Sequence, residues 1–129
     1  VKICLDTNVF TKLALQHQPL IELIDQSESV FVPTVVLGEL YAGFYLGNRQ
    51  DQNKKDLLQF LNLPGVEEVV VDSSIAERYG IIIRDLKKAG KPIPTNDIWI
   101  AATALELGAR LVSYDKHFDL IAGLIVIAP

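Results

Sequence analysis

Four carboxylates stand where an acid is hard to explain as surface decoration. Asp6 follows the apolar run Ile3-Cys4-Leu5, and Asp115 follows Leu111-Val112-Ser113-Tyr114. Glu39 sits amid Val35, Val36, Leu37, Leu40 and Tyr41, and Asp97 opens the stretch Ile98-Trp99-Ile100-Ala101-Ala102. An isolated ionised carboxylate in such surroundings is costly. Gathered in one place, four would raise each other's pKa and strain the fold unless cations neutralise them. Carboxylate oxygens are hard ligands suited to Mg²⁺ or Mn²⁺, ions that keep several waters and use few protein groups. Such ions turn water into a nucleophile and stabilise the leaving oxygen of a phosphodiester. No cysteine or histidine pair with zinc spacing competes, since His17 and His117 stand alone.

Each acid also has a plainer account. Asp6 and Asp115 can serve as turn or cap residues, and Asp97 in a first helical turn is favoured by the helix dipole. Glu39 can occupy an exposed stripe. That account must hold four separate times. Polar neighbours of the acids, Thr7, Asn8, Thr95, Asn96 and Ser113, offer hydroxyls and amides able to orient carboxylates or metal-bound water, or simply to cap helices. Ser113, two residues before Asp115, points to the same side of a strand.

The elements that must position these groups alternate in type. Strands are expected at Lys2–Leu5, Val30–Val32, Val66–Val71, Arg110–Tyr114 and Leu124–Ile127. Their runs of Val, Ile and Leu show little alternation, the pattern of strands covered on both faces. Helices are expected at Asn8–Leu15, Leu20–Gln26, Thr34–Leu46, Gln52–Leu61, Ser74–Ala89 and Asn96–Leu107, with a short turn over Lys116–Leu120. Pro33-Thr34 opens one helix, Ser73-Ser74 caps the next but one, and Gly90 after Lys87-Lys88 closes it. Thr95 or Asn96 then caps an alanine-rich helix that is apolar nearly all round and therefore buried. The alternation predicts an α/β domain. In an open parallel sheet, ligands bind beyond the carboxyl ends of the strands, where Asp6 and Asp115 are expected to meet.

The chain has 129 residues, half of them hydrophobic, which fits one domain over 1–129 with a sizeable core. Its single cysteine, Cys4, cannot form an internal disulfide, and together with the absence of a signal peptide or a bilayer-spanning stretch this predicts a cytoplasmic protein. The net charge of −4 argues mildly against nucleic-acid binding, unless the acids are collected around metal ions.

The ordered residues resemble a known pattern. Asp6-Thr7-Asn8 with Val9-Phe10 is similar to the opening of PIN domains, particularly VapC-type toxins. Glu39-Leu40 with Gly43, then Gly90-Lys91-Pro92-Ile93-Pro94-Thr95-Asn96-Asp97 before Ile100-Ala101-Ala102, resemble the second and third acidic sites. Leu111-Val112-Ser113-Tyr114-Asp115, followed by Phe118 and Ile121-Ala122-Gly123-Leu124, is similar to the closing region. The resemblance implies a three-layer α/β/α sandwich around a parallel sheet, with Asp6, Glu39, Asp97 and Asp115 holding Mg²⁺ or Mn²⁺. It implies endonucleolytic RNA cleavage by metal-activated water, a homodimer, and inhibition by a cognate antitoxin protein. Ser113 stands where threonine is more usual, which keeps the hydroxyl. Asp119 reads as a solvated surface acid.

RNA phosphates repelled by the acids need cations at the rim. Arg84 and Lys116 are the better candidates, then Lys12; Lys87, Lys88 and Lys91 are equally explained as a solvated helix end, and His117 follows Lys116 directly. Tyr41, Phe44, Tyr45 and Tyr79 fit either a dimer face or ordinary core. Three rivals remain. A receiver-like signalling domain needs its acceptor aspartate at a central strand end, whereas Asp72-Ser73-Ser74 reads as a helix start. A haloacid-dehalogenase-type phosphatase needs a second aspartate where Asn8 stands. The third is a non-catalytic RNA- or protein-binding α/β module, against which the intact four acids speak.

Overall fold

In the computed structural model, which describes residues 1–129, five parallel strands form one sheet. They are β1 (Lys2–Leu5), β2 (Ser29–Pro33), β3 (Val66–Val69), β4 (Arg110–Val112) and β5 (Val126–Ile127), in the order β3-β2-β1-β4-β5. Between them run α1 (Val9–Ala14), α2 (Gln18–Gln26), α3 (Thr34–Leu46), α4 (Gln50–Leu61), α5 (Ser73–Ala89) and α6 (Thr95–Leu107), and a 3-10 turn spans Lys116–Leu120. Successive strand residues face opposite sides, yet Ile3, Cys4 and Leu5 are all without exposure. Helices therefore cover both faces of the central strand, giving the α/β/α sandwich. The order also differs from the 2-1-3-4-5 arrangement of receiver-like domains.

The chain runs outward from β1 through β2 to β3, then returns to add β4 and β5 on the other side of β1. Cys4 lies opposite Phe31 of β2 and Leu111 of β4. Where neighbouring connections part in this way, the carboxyl ends of β1 and β4 leave a crevice. α6 closes one face beside it, packing on α5, α3, β1 and β4. Ile100, Ala101, Ala102 and Ala104 are fully buried, and Tyr79 of α5 stacks on Trp99 at 3.8 Å, so Tyr79 serves packing within the chain. Tyr45 is exposed at the end of α3.

Several expected boundaries shift for identifiable reasons. β3 ends at Val69, because its register partner there is Pro33, the last residue of β2 before the chain turns into α3. Val70 and Val71 consequently leave the sheet and are largely exposed. On this edge strand Glu67 and Glu68 face solvent, charge that guards an open edge against further pairing. β4 stops at Val112 and β5 covers only Val126–Ile127. α2 starts at Gln18, since Pro19 is tolerated in a first turn that needs no N–H. α5 is capped by Asp72, not by Ser73-Ser74: the Asp72 carboxylate accepts the Ile75 N–H at 2.9 Å. Neither Thr95 nor Asn96 caps α6, which begins at Thr95 directly after Pro94 and has no side-chain cap. Gly90 takes the left-handed conformation (φ 65°) that lets α5 end where expected. No helix is long and apolar enough to cross a membrane.

Candidate active site

At the crevice beside β1 a cleft of about 380 Å³ is lined by Asp6, Thr7, Asn8, Glu39, Asp97 and Asp115, with Thr11, Leu40, Gly43 and Phe44 completing the wall. Each acid arrives by a short route. Asp6 is the residue after β1, and its N–H still donates to the Val112 carbonyl of β4 at 3.0 Å. Glu39 comes from the second turn of α3, which leaves β2 without a loop. Asp97 lies in the first turn of α6, and Asp115 precedes the 3-10 turn. Phe118, fully buried, anchors that turn in the core.

One path of hydrogen bonds strings the four acids together. The Thr7 hydroxyl donates to Glu39 Oε1 at 2.6 Å, and the Thr7 N–H donates to Asp6 Oδ1 at 2.8 Å. Asp6 Oδ2 accepts the Ser113 hydroxyl at 2.7 Å, and Ser113 Oγ in turn accepts the Asp115 N–H at 3.0 Å. The His117 N–H donates to Asp115 Oδ1 at 3.0 Å. The ring Nδ1 of His117 then lies 3.2 Å from that same oxygen and 3.1 Å from Asp97 Oδ2. Asp6, 5% exposed, thus has a donor on each oxygen and no orientational freedom. Asp115 both caps its turn and faces the cleft, so the two accounts of it hold together.

The electrostatics follow from burial and crowding. Burial pushes the Asp6 carboxyl above its ordinary pKa; the Ser113 and Thr7 hydrogen bonds oppose this, and the charges of Asp97 and Glu39 add to it. Asp97 is likewise pushed up, by burial first; the His117 hydrogen bond and charge oppose, while Asp115 and Glu39 add. His117 is pushed up first by its hydrogen bond to Asp97, against the cost of burial, with the charges of Asp115 and Asp97 adding to the rise. Burial, with the Asp6 charge, also raises the Cys4 thiol, so Cys4 remains a protonated core residue. Crowded, half-desolvated carboxylates suit a hard dication, which relieves their repulsion. Asp97, Asp115 and His117 each offer a donor atom, all within 4.8 Å of one another.

The expected residues divide. Thr7 and Ser113 hold carboxylates directly, and Asn8 Oδ1 accepts the Tyr114 N–H at 3.4 Å, tying the segment after β1 to the segment after β4. Asn96 is exposed, makes no hydrogen bond through its side chain and does not line the cleft, since it precedes the cleft-lining Asp97 on α6 and consecutive helix residues are about 100° apart around the axis. Arg84, exposed on α5, pairs with Asp85 at 3.1 Å. Lys12 lies 5.4 Å from the centre of the Tyr114 ring, and Lys116 is exposed beside Asp115. None of the three cations lines the cleft. Two contributors escaped the sequence reading. Thr11 lies one helical turn after Thr7, a spacing that was available as a signal. His117 follows Lys116 in sequence, yet its ring bridges two acids; its contact with Asp97 spans twenty residues and leaves no local trace.

The PIN domain family model matches residues 3–124. Ribonuclease VapC1 of Haemophilus influenzae (strain R2866) is 32% identical over 126 residues, covering 93% of this chain and 92% of its own. Among solved structures, VapBC2 of Rickettsia felis bound to a DNA fragment from its promoter matches with a TM-score of 0.87 at 26% identity, over 98% of both chains. VapBC-1 of nontypeable Haemophilus influenzae matches with a TM-score of 0.87 at 25% identity, over 98% of this chain and 97% of its own. A family model running almost end to end, and a relative of this identity over nearly its full length, place the chain in the PIN domain family.

Proposed function

We propose that this chain is an endoribonuclease of the VapC type, the toxin of a toxin–antitoxin pair, which hydrolyses RNA phosphodiester bonds with Mg²⁺ or Mn²⁺ held by Asp6, Glu39, Asp97 and Asp115. The observation that carries this reading is the unbroken hydrogen-bond path through the four acids at the crevice between β1 and β4. When bound, the ion supplies Lewis acidity, lowering the pKa of water and stabilising a leaving oxygen. The chain's own residues supply placement. Ser113 and Thr7 fix both oxygens of Asp6, and Thr7 sets Glu39 with the same side chain. Asp97 and Asp115 close the other side. Lys12 and Lys116 stand on the two segments that carry Asp6 and Asp115, and are the proposed phosphate contacts, with Arg84 joining once it leaves Asp85.

The VapBC names of the structural relatives support a cognate antitoxin as partner. A homodimer and a cytoplasmic location complete the reading, the latter supported by a buried free thiol. The test is cleavage of a structured RNA mixture by the protein with Mg²⁺ or Mn²⁺, with EDTA, and by Asp6→Asn. Metal-dependent cutting that both controls abolish is the expected result. Equal silence of wild type and Asp6→Asn on several RNAs, with either ion, overturns it.

A further inference from the structure

We infer that His117 is a nitrogen ligand of the metal site, biasing it toward Mn²⁺ over Mg²⁺. The inference rests on the metal-dependent reading above and assigns this residue a role within it. Its basis is geometric. Nδ1 of His117 lies 3.1 Å from Asp97 Oδ2 and 3.2 Å from Asp115 Oδ1. Adjacent ligands of an octahedral ion with bonds of about 2.0–2.2 Å are themselves roughly 3 Å apart. The imidazole nitrogen therefore already stands, from each of the two carboxylate oxygens, at the spacing that one ion demands of neighbours in its shell, and all three donor atoms lie within 4.8 Å of one another. The backbone keeps them there: the His117 N–H is bonded to Asp115 Oδ1, and the adjacent Phe118 is locked in the core.

Ligand type then determines preference. Mg²⁺ favours oxygen and retains its waters, whereas imidazole suits first-row transition ions. An all-carboxylate cleft would discriminate weakly between Mg²⁺ and Mn²⁺, and one imidazole shifts the balance. The rival role is a stand-in cation, with the ring lying between Asp97 and Asp115 and competing with the metal. The two roles predict opposite signs when the ring is removed. His117 is about half exposed, so its replacement leaves no cavity in the core, and His17, the only other histidine, is engaged at 3.0 Å with the Pro129 carbonyl oxygen.

The experiment loads tag-free protein with Mn²⁺ alone. Pulsed electron paramagnetic resonance then reads nitrogen coupling to the ion, and titration calorimetry measures Mn²⁺ and Mg²⁺ affinity, for wild type, His117→Ala, His117→Gln and Asp6→Asn. Expected are a nitrogen coupling that both His117 variants lose, and a fall in Mn²⁺ affinity of roughly tenfold or more with a much smaller change for Mg²⁺. Mn²⁺ that binds in an Asp6-dependent way without nitrogen coupling overturns the inference while leaving the nuclease reading intact. Tighter Mn²⁺ binding by His117→Ala overturns it in favour of the competing-cation role. Absence of Mn²⁺ binding by wild type overturns both the inference and the metal-dependent reading.

Discussion

Asp6 receives one donor on each oxygen, and the residues that donate, Thr7 and Ser113, are themselves engaged elsewhere in the cleft. Ser113→Ala removes the Asp6 Oδ2 donor and the acceptor of the Asp115 N–H at one stroke. Groups that orient metal ligands contribute roughly 10–100-fold to affinity or activity. Ser113→Ala is accordingly expected to lower RNA cleavage by that factor, with Ser113→Thr retaining activity; an Ala variant as active as wild type would remove Ser113 from the machinery. The raised pKa values give a second expectation. A carboxyl whose pKa is raised on folding binds more protons in the folded state, so its contribution is favourable below the unfolded value and is lost as pH rises toward the folded one. The raised His117 has the same sign: its stabilisation is complete below the ordinary histidine value and is lost as pH climbs through the folded one. In EDTA, wild type should therefore lose stability relative to Asp6→Asn as pH rises from about 4, the ordinary carboxylate value, and the variant should melt higher near neutrality. Thermal melts across that range decide; a variant melting lower at pH 7 contradicts it. The four acids were legible in the sequence because each broke an apolar run. His117 was not, because a bridge to Asp97 depends on how the turn after β4 meets the start of α6.

At the scale of elements, the sequence carried type and order better than ends. The apolar runs of β1 and β2 and the alanine-rich α6 were unambiguous, since burial on both sides demands them. Ends depend on partners that local pattern does not reveal: β3 stops where Pro33 ends its neighbour, and α5 is capped from Asp72. That cap offers a clean test of the difference between support and chemistry. Asp72→Ala leaves the Ile75 N–H without its partner and should cost about 1 kcal/mol, within a range of roughly 0.5–2. Denaturant unfolding should show the loss, while cleavage measured below the melting transition stays at the wild-type level. A drop in activity without a drop in stability would mean that α5 does more than buttress α6.

For the molecule as a whole, a net charge of −4 and a cleft lined by acids leave RNA attraction to cations outside the cleft. Lys12 and Lys116 are exposed on the segments that follow Asp6 and Asp115, while Arg84 is tied to Asp85. If Lys12 and Lys116 each contact a phosphate, Lys12→Ala and Lys116→Ala weaken binding evenly across RNA sequences and flatten its dependence on log salt by about one unit each. Binding of RNA to Asp6→Asn over a salt series measures this, and unchanged slopes would assign phosphate contact to other residues. The parallel sheet was legible from alternation of elements, but its order was not. That β1 lies centrally, with β2 and β4 on either side, follows from long-range pairing that no stretch of sequence displays.

The central place of β1 has a consequence in time. Its bond from Asp6 to Ser113 joins residues 107 positions apart, and β4 is the second neighbour that β1 must await. Ribosomes add roughly 5–20 residues each second, so the opening strand waits several seconds with one edge bare before the cleft can exist. A nascent or prematurely ended chain holds Asp6 and Glu39 but lacks the strand that completes their setting.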